Sequence, residues 1–220
     1  MMNKGGFETT IQQKLNSVCL CRYYYPNPKK KGCNAMKIIV AISGASGAIY
    51  GIRALEKLKA MGVETHLVIS QWGRFTIECE TDYTVEQVMS LASFNYNEDE
   101  MGAAVSSGSF KTNGMLIAPC SMKTLAGIAN GYSEDLLIRA ADVCIKECRK
   151  LVLLTRETPL STIHLENMCK LAKIGICIMP PVPALYNRPV SLEAIIDNTV
   201  GRALEQFGLE VKELMRWNGL

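Results

Sequence analysis

Residues 37–61 read Lys37-Ile-Ile-Val-Ala-Ile-Ser43-Gly44-Ala45-Ser46-Gly47 and then Ala48-Ile-Tyr-Gly-Ile-Arg-Ala-Leu-Glu-Lys-Leu-Lys-Ala-Met61. Within the first seven, Ile38–Ile42 is an apolar run rich in β-branched residues, as in a strand buried on both faces. Four small residues follow, and the apolar spacing then changes to a helical period from Ile49 to Met61. Gly62 stands where a helix end favours left-handed geometry. A buried strand, a small-residue turn and an amphipathic helix are the first unit of a parallel α/β sheet.

The same alternation recurs downstream. Further strands are expected at Val63–Ser70, Met115–Pro119, Lys150–Thr155 and Ile176–Met179. Helices are expected through Glu80, over Thr84–Ala92, from Cys120-Ser121 to Cys148 with a break near Gly131, over Thr162–Lys173, and over Ser191–Phe207. Residues 93–114 are rich in Asn, Ser, Gly and Asp and read as a long functional loop with at most short elements. A Pro-rich loop runs from Pro180 to Pro189, and a short tail ends at Trp217. The expected fold is a single domain built on a doubly wound parallel sheet in three α/β/α layers.

Composition narrows the function classes. The chain has 220 residues, 48% hydrophobic and 20% charged, as a globular protein has. Its apolar runs fall far short of the roughly 20 residues of a membrane span. The net charge of +3 is uneven, because residues 1–35 carry six Lys or Arg against the single Glu8. Taking these from the totals of 24 and 21 leaves 18 basic and 20 acidic groups, so the body gives no sign of a nucleic-acid surface. Nine cysteines without framework spacing read as reduced thiols of a cytoplasmic protein. Residues 1–35 read as an appended flexible segment or a misassigned start, with the folded domain over 36–220.

In doubly wound sheets ligands lie beyond the carboxyl ends of the strands. Those positions here carry Gly44, Ala45 and Ser46 after the first strand and Ser70 after the second. Ser121, Met122, Lys123 and Thr124 follow the third, and Arg156 with Glu157 the fourth. Small turns and hydroxyls at helix starts suit an anion, and Arg156 can grip a phosphate with two N–H groups. Helix caps and a surface ion pair are the plainer alternatives for the same residues. Arg139 and Lys146 lie seven apart on one expected helix and share a face, as a solvated stripe or a cationic wall. Two histidines, His66 and His164, are too few for a histidine metal site; His164 reads as a capping or packing residue. Cys120 reads as a small buried residue, since no histidine is placed to pair with it.

The collinear segments Gly44-Ala-Ser-Gly47, Glu80-Thr-Asp82, Pro119-Cys-Ser-Met-Lys-Thr-Leu-Ala126, Arg139-Ala-Ala-Asp-Val143 and Arg156-Glu-Thr-Pro-Leu-Ser-Thr-Ile-His-Leu-Glu-Asn-Met168 resemble the UbiX/Pad family of flavin prenyltransferases. The likeness extends from Met36 to about Trp217 and is greatest to members once described as an accessory subunit of hydroxyarylic acid decarboxylases. It implies a flavodoxin-like, Rossmann-like fold and a metal-independent transfer of the dimethylallyl group of dimethylallyl monophosphate to reduced FMN, closing a fourth ring at flavin nitrogen 5 and carbon 6. The prenylated FMN would serve a separate UbiD-type decarboxylase, in ubiquinone synthesis or in aromatic-acid breakdown. A homo-oligomer, a dodecamer, is also implied.

Carried over by resemblance, Gly44, Ala45, Ser46, Ser70, Ser121, Met122, Lys123, Thr124 and Arg156 would contact FMN. Arg139, Lys146, Glu157, Tyr186 and Arg202 would bind the dimethylallyl phosphate. Ser46 and Glu80 would move protons, with the released phosphate as the other candidate base. The run Lys146-Glu147-Cys148-Arg149 departs from the family's Lys-Glu-Arg-Arg but keeps the lysine. Rival readings are an FMN-dependent decarboxylase and a non-catalytic accessory subunit of a hydroxyarylic acid decarboxylase.

Overall fold

In the computed structural model the described residues are 36–220 except positions 213, 218 and 220; the reading of residues 1–35 lies outside them. Six parallel strands form one sheet: β1 (Lys37–Ile42), β2 (Glu64–Ile69), β3 (Phe94–Asn97), β4 (Gly114–Cys120), β5 (Lys150–Thr155) and β6 (Cys177–Ile178). Their order is β3-β2-β1-β4-β5-β6. Without the four-residue edge strand β3, the remaining five follow the flavodoxin order, and the direction of winding reverses between β1 and β4.

The helices are α1 (Ala48–Ala60), α2 (Gln71–Glu80), α3 (Val85–Met89), α4 (Met122–Asn130), α5 (Leu136–Lys146), α6 (Thr162–Lys173) and α7 (Leu192–Glu205). Strand alternation divides the core in two. Ile38, Val40 and Ile42 of β1 pack with buried residues of α1, α2, α3 and α7 on one face. Ile39 and Ala41 pack with those of α4, α5 and α6 on the other. Six N-caps, Ser70, Thr84, Ser121, Asp135, Ser161 and Ser191, accept a backbone N–H in the first turn of their helices. Each such cap contributes about 1 kcal/mol. Gly62 and Gly131 take positive φ after α1 and α4, where the sequence places them as stops.

Residues 93–114 hold more order than their composition suggests. They contain β3 and a 3₁₀ turn at Ala104–Ser106. The strand is anchored by His66, which is 2% exposed. Its ring stacks on Phe94 at 4.9 Å and meets Phe110 edge-on at 5.1 Å. Its nitrogens bond Tyr96 Oη at 3.0 Å and Glu64 Oε1 at 2.9 Å.

Candidate active site

Four strand ends are tied together at the winding reversal. Ser43, buried at the end of β1, donates its hydroxyl to Pro119 O at 2.8 Å and accepts Ser121 N–H at 2.8 Å. Ser70 N–H donates to Ile42 O, and Arg156 N–H donates to Cys120 O. The turns after β1, β2, β4 and β5 therefore line one carboxyl edge of the sheet. This brings Gly44, Ala45, Ser46, Ser70, Ser121–Thr124 and Arg156 to one place.

The Gly44 turn has no spare room. A Cβ on Gly44 would lie 2.2 Å from Trp72 Cβ, so the start of α2 presses directly on the turn. Gly51 allows the same closeness between α1 and β4, because a Cβ there would lie 2.3 Å from Ala118 O. Gly47 takes φ 101° and donates its N–H to Glu80 Oε2 at 2.7 Å. Glu80, 33 residues away in sequence, is thereby held one residue from Ser46.

The turns leave groups available for an anion. The first-turn amides of α4 have no partners within the helix. Among the described residues, no hydrogen bond engages the Ser46 hydroxyl and no ion pair engages the Arg156 guanidinium. Arg156 still acts on its surroundings: its charge opposes the rise that burial imposes on the Tyr50 hydroxyl. Ser121 caps α4 and donates to Thr124 Oγ1 at 3.0 Å. Lys123 turns its ammonium toward Glu134 and Asp135, at 3.6 and 3.8 Å. Among the described residues, Glu157 takes only the N–H of Thr158, at 2.9 Å. These features fit a flavin phosphate: a turn too tight for side chains, the Met122 and Lys123 amides without intrahelical partners, a free hydroxyl and a free cation.

A cleft of about 550 Å³ opens beyond β6, lined by Met179, Tyr186, Thr199, Arg202, Arg216 and Trp217 among others. Tyr186 and Trp217 meet edge-to-face at 5.8 Å. The cleft's lining combines two arginines with aromatic and apolar side chains, the residue types that a phosphorylated hydrocarbon requires. A second cleft, of about 490 Å³, is confined to the tail around residues 210–216 and touches no strand end.

The other two expected cations lie elsewhere in the chain. Arg139 and Lys146 share a face of α5, as their spacing suggests, and that face meets the 104–110 segment. Arg139 Nε donates to Ser106 O at 3.2 Å and Nη1 to Asp142 at 2.8 Å. Lys146 pairs with Glu147 at 2.8 Å, and its ammonium holds that carboxyl below the usual range. Helix α5 and helix α7, which carries Arg202, cover opposite faces of the sheet. One chain therefore does not bring Arg139 and Lys146 to the cleft of Arg202.

Cys120 is fully buried, and burial pushes its thiol far above the ordinary range, which removes it as a nucleophile. His164 completes a capping box with Ser161 at the start of α6. Among the described residues, no group of three or more His, Cys, Asp or Glu is placed to hold a metal ion, and no helix is long and apolar enough to cross a membrane. Sequence reasoning missed the Glu80–Gly47 bond, the His66 cluster and Arg216. The arginine had a signal, a cation beside the aromatic Trp217.

The profile of the family described as Flavoprotein matches residues 26–207. A Bacillus subtilis protein named probable UbiX-like flavin prenyltransferase is 56% identical over 192 residues, 87% of this chain and 94% of that protein. A crystal structure described as a dodecameric FMN-dependent UbiX-like decarboxylase from Escherichia coli O157:H7 matches with TM-score 0.82 and 53% identity, covering 84% of this chain and all of that one. Another, AnUbiX in complex with FMN and dimethylallyl pyrophosphate, matches with TM-score 0.83 and 50% identity, covering 84% of this chain and 99% of that one.

Proposed function

This chain belongs to the Flavoprotein family and, within it, to the UbiX-like flavin prenyltransferases, and from that membership we propose that it transfers the dimethylallyl group of dimethylallyl monophosphate to reduced FMN. The observation that carries the proposal is the placement of two groups of residues suited to anions along one sheet edge. One is the Ser46 and Arg156 cradle; the other is the arginine-lined cleft beyond β6.

Reduced FMN supplies the nucleophilic ring atoms when bound. The chain holds and orients. The turns at Gly44–Ser46 and Ser121–Thr124 receive the flavin phosphate, with Ser70 beside them and Arg156 as a fixed cation. In the cleft, Arg202 and Tyr186 take the departing phosphate, and Glu157 stands at the neighbouring strand end. Cations fixed where negative charge gathers stabilise the transition state without reorganising. Glu80, anchored to the Gly47 amide beside Ser46, accepts the proton that must leave for the product to form.

Arg139 and Lys146 complete the phosphate grip from a neighbouring copy. Their placement on the opposite sheet face supports this, as does the dodecamer named for the E. coli relative. We accordingly assign a dodecamer to this protein. The product goes to a UbiD-type decarboxylase. The enzyme works in the cytoplasm, a reading supported by nine cysteines scattered without framework spacing.

The test is anaerobic incubation of the purified protein with reduced FMN and dimethylallyl monophosphate, followed by mass spectrometry of the flavin. The mass should rise by one dimethylallyl unit less the hydrogen it replaces; an unaltered flavin contradicts the proposal. The E. coli relative's description as a decarboxylase favours a second reading. Release of CO₂ from phenolic acids by this protein alone would support it.

A further inference from the structure

The cleft beyond β6 contains a second arginine, and its position is built rather than incidental. The tail that carries Arg216 docks on α7 through Val211 and Leu214, both buried. The docking depends on Gly201, whose Cβ would lie 3.0 Å from Leu214 Cδ1 and 3.4 Å from Val211 Cγ1. Asn198 Nδ2 donates to Met215 O at 3.5 Å, and Trp217 meets Tyr186 edge-on. Arg216 is thus fixed on both sides along the chain.

Its guanidinium donates to Glu205 Oε1. Arg202 Nη1 stands 3.8 Å from Oε2 of the same carboxylate. Two cations share one negative charge, which leaves the site positive. The carboxylate lies deeper than its partners: Glu205 is 21% exposed, while Arg202 and Arg216 are each 53% exposed. The arginines thus face the cleft with a common anchor behind them. A phosphate monoester carries nearly two negative charges near neutral pH and three terminal oxygens. Two guanidinium forks held by one carboxylate match that demand better than one fork does.

We propose that Arg216 is a second phosphate-binding residue of the cleft and that Glu205 is a positioning residue that holds Arg202 and Arg216 together for a dianionic phosphate monoester. The proposal rests on the prenyltransferase reading and adds to it two residues outside the expected set.

The experiment is calorimetric titration of the full-length FMN-loaded protein with dimethylallyl monophosphate, together with steady-state kinetics. Arg216→Ala should weaken binding and raise KM by about tenfold to a hundredfold, as expected for a lost charge-assisted hydrogen bond. FMN affinity should stay unchanged, and Arg216→Lys should restore part of the loss. Glu205→Gln gives the sharper test. If Glu205 only neutralised charge, its removal would tighten phosphate binding; as a positioning residue, its loss should weaken binding. Arg216→Ala with wild-type affinity, in a variant that melts as wild type does, overturns the role of Arg216, and tighter binding by Glu205→Gln overturns that of Glu205. A wild-type protein that binds FMN but not dimethylallyl monophosphate refutes the prenyltransferase reading itself, and this proposal with it.

Discussion

Replacing Gly44 by alanine tests whether the turn after β1 is tight because it holds a flavin. Its φ lies outside the left-handed region, so the backbone accepts alanine and only space forbids it. The new Cβ would stand 2.2 Å from Trp72 Cβ, against 3.4 Å for ordinary contact, so the turn and the start of α2 must separate by 1.2 Å, the difference of those two distances. Trp72 Cβ adjoins the main chain and cannot swing aside as a side-chain tip can. Overpacking of this kind costs about 1–3 kcal/mol, which lowers Tm by roughly 2–12 °C in a domain of this size. A shift of about 1 Å in a positioned site can cost on the order of a hundredfold in function. FMN affinity, followed by flavin fluorescence, should fall by about tenfold to a hundredfold on that basis. Gly62→Ala is the control: φ is +68°, and no atom lies within 4 Å of the new methyl. Its left-handed strain, about 1–2 kcal/mol, should lower Tm without changing FMN affinity. Wild-type FMN affinity in Gly44→Ala, or equal losses in both variants, would refute the reasoning.

Three other outcomes follow from the geometry. Ser43→Ala leaves Pro119 O and Ser121 N–H without their shared hydroxyl; calorimetry should show a loss of about 1–3 kcal/mol along with weaker FMN binding. Glu80→Gln keeps an acceptor for Gly47 N–H, so FMN affinity should hold while prenylation slows by about a hundredfold or more; loss of FMN binding instead would mean that Glu80 is only structural. Burial lowers the His66 pKa from its ordinary 6.5, the Glu64 hydrogen bond opposing it. The unfolded chain therefore binds more protons between the folded value and 6.5, and stability falls as pH drops through that window. Glu64, whose carboxyl is lowered from 4.5, loses its contribution only at more acid pH. Tm against pH should therefore be steeper just below 6.5 for wild type than for His66→Gln, and equal slopes would contradict this.

The five strands other than β3 and their turns were legible because buried parallel strands are continuous apolar runs and their ends carry small or hydroxyl residues. Lys37–Ile42 and Met115–Cys120 are of this kind. Phe94-Asn-Tyr-Asn97 was not legible as a strand. Its residues are mostly exposed at an edge, and what fixes it is His66, 28 residues earlier, through stacking and a bond to Tyr96. The shared face of Arg139 and Lys146 followed from a spacing of two helical turns. Their separation from Arg202 did not, since it depends on which side of the sheet each crossover takes. Lys123 was legible as a residue at a helix start; its pairing with Glu134 and Asp135 arises only once the chain turns back at Gly131. Long-range bonds such as Gly47 to Glu80 leave no periodic trace.

The central claim is that one departing phosphate is held by cations from two copies of the chain. Lys146→Ala and Arg202→Ala should each prenylate FMN poorly while still binding it. Co-expressing the two and assaying purified mixed oligomers measures the claim directly. Recovery of prenylation is predicted, because an interface joining the Lys146 of one copy to the Arg202 of another restores an intact site. Verified mixed oligomers as inactive as either variant alone would contradict it.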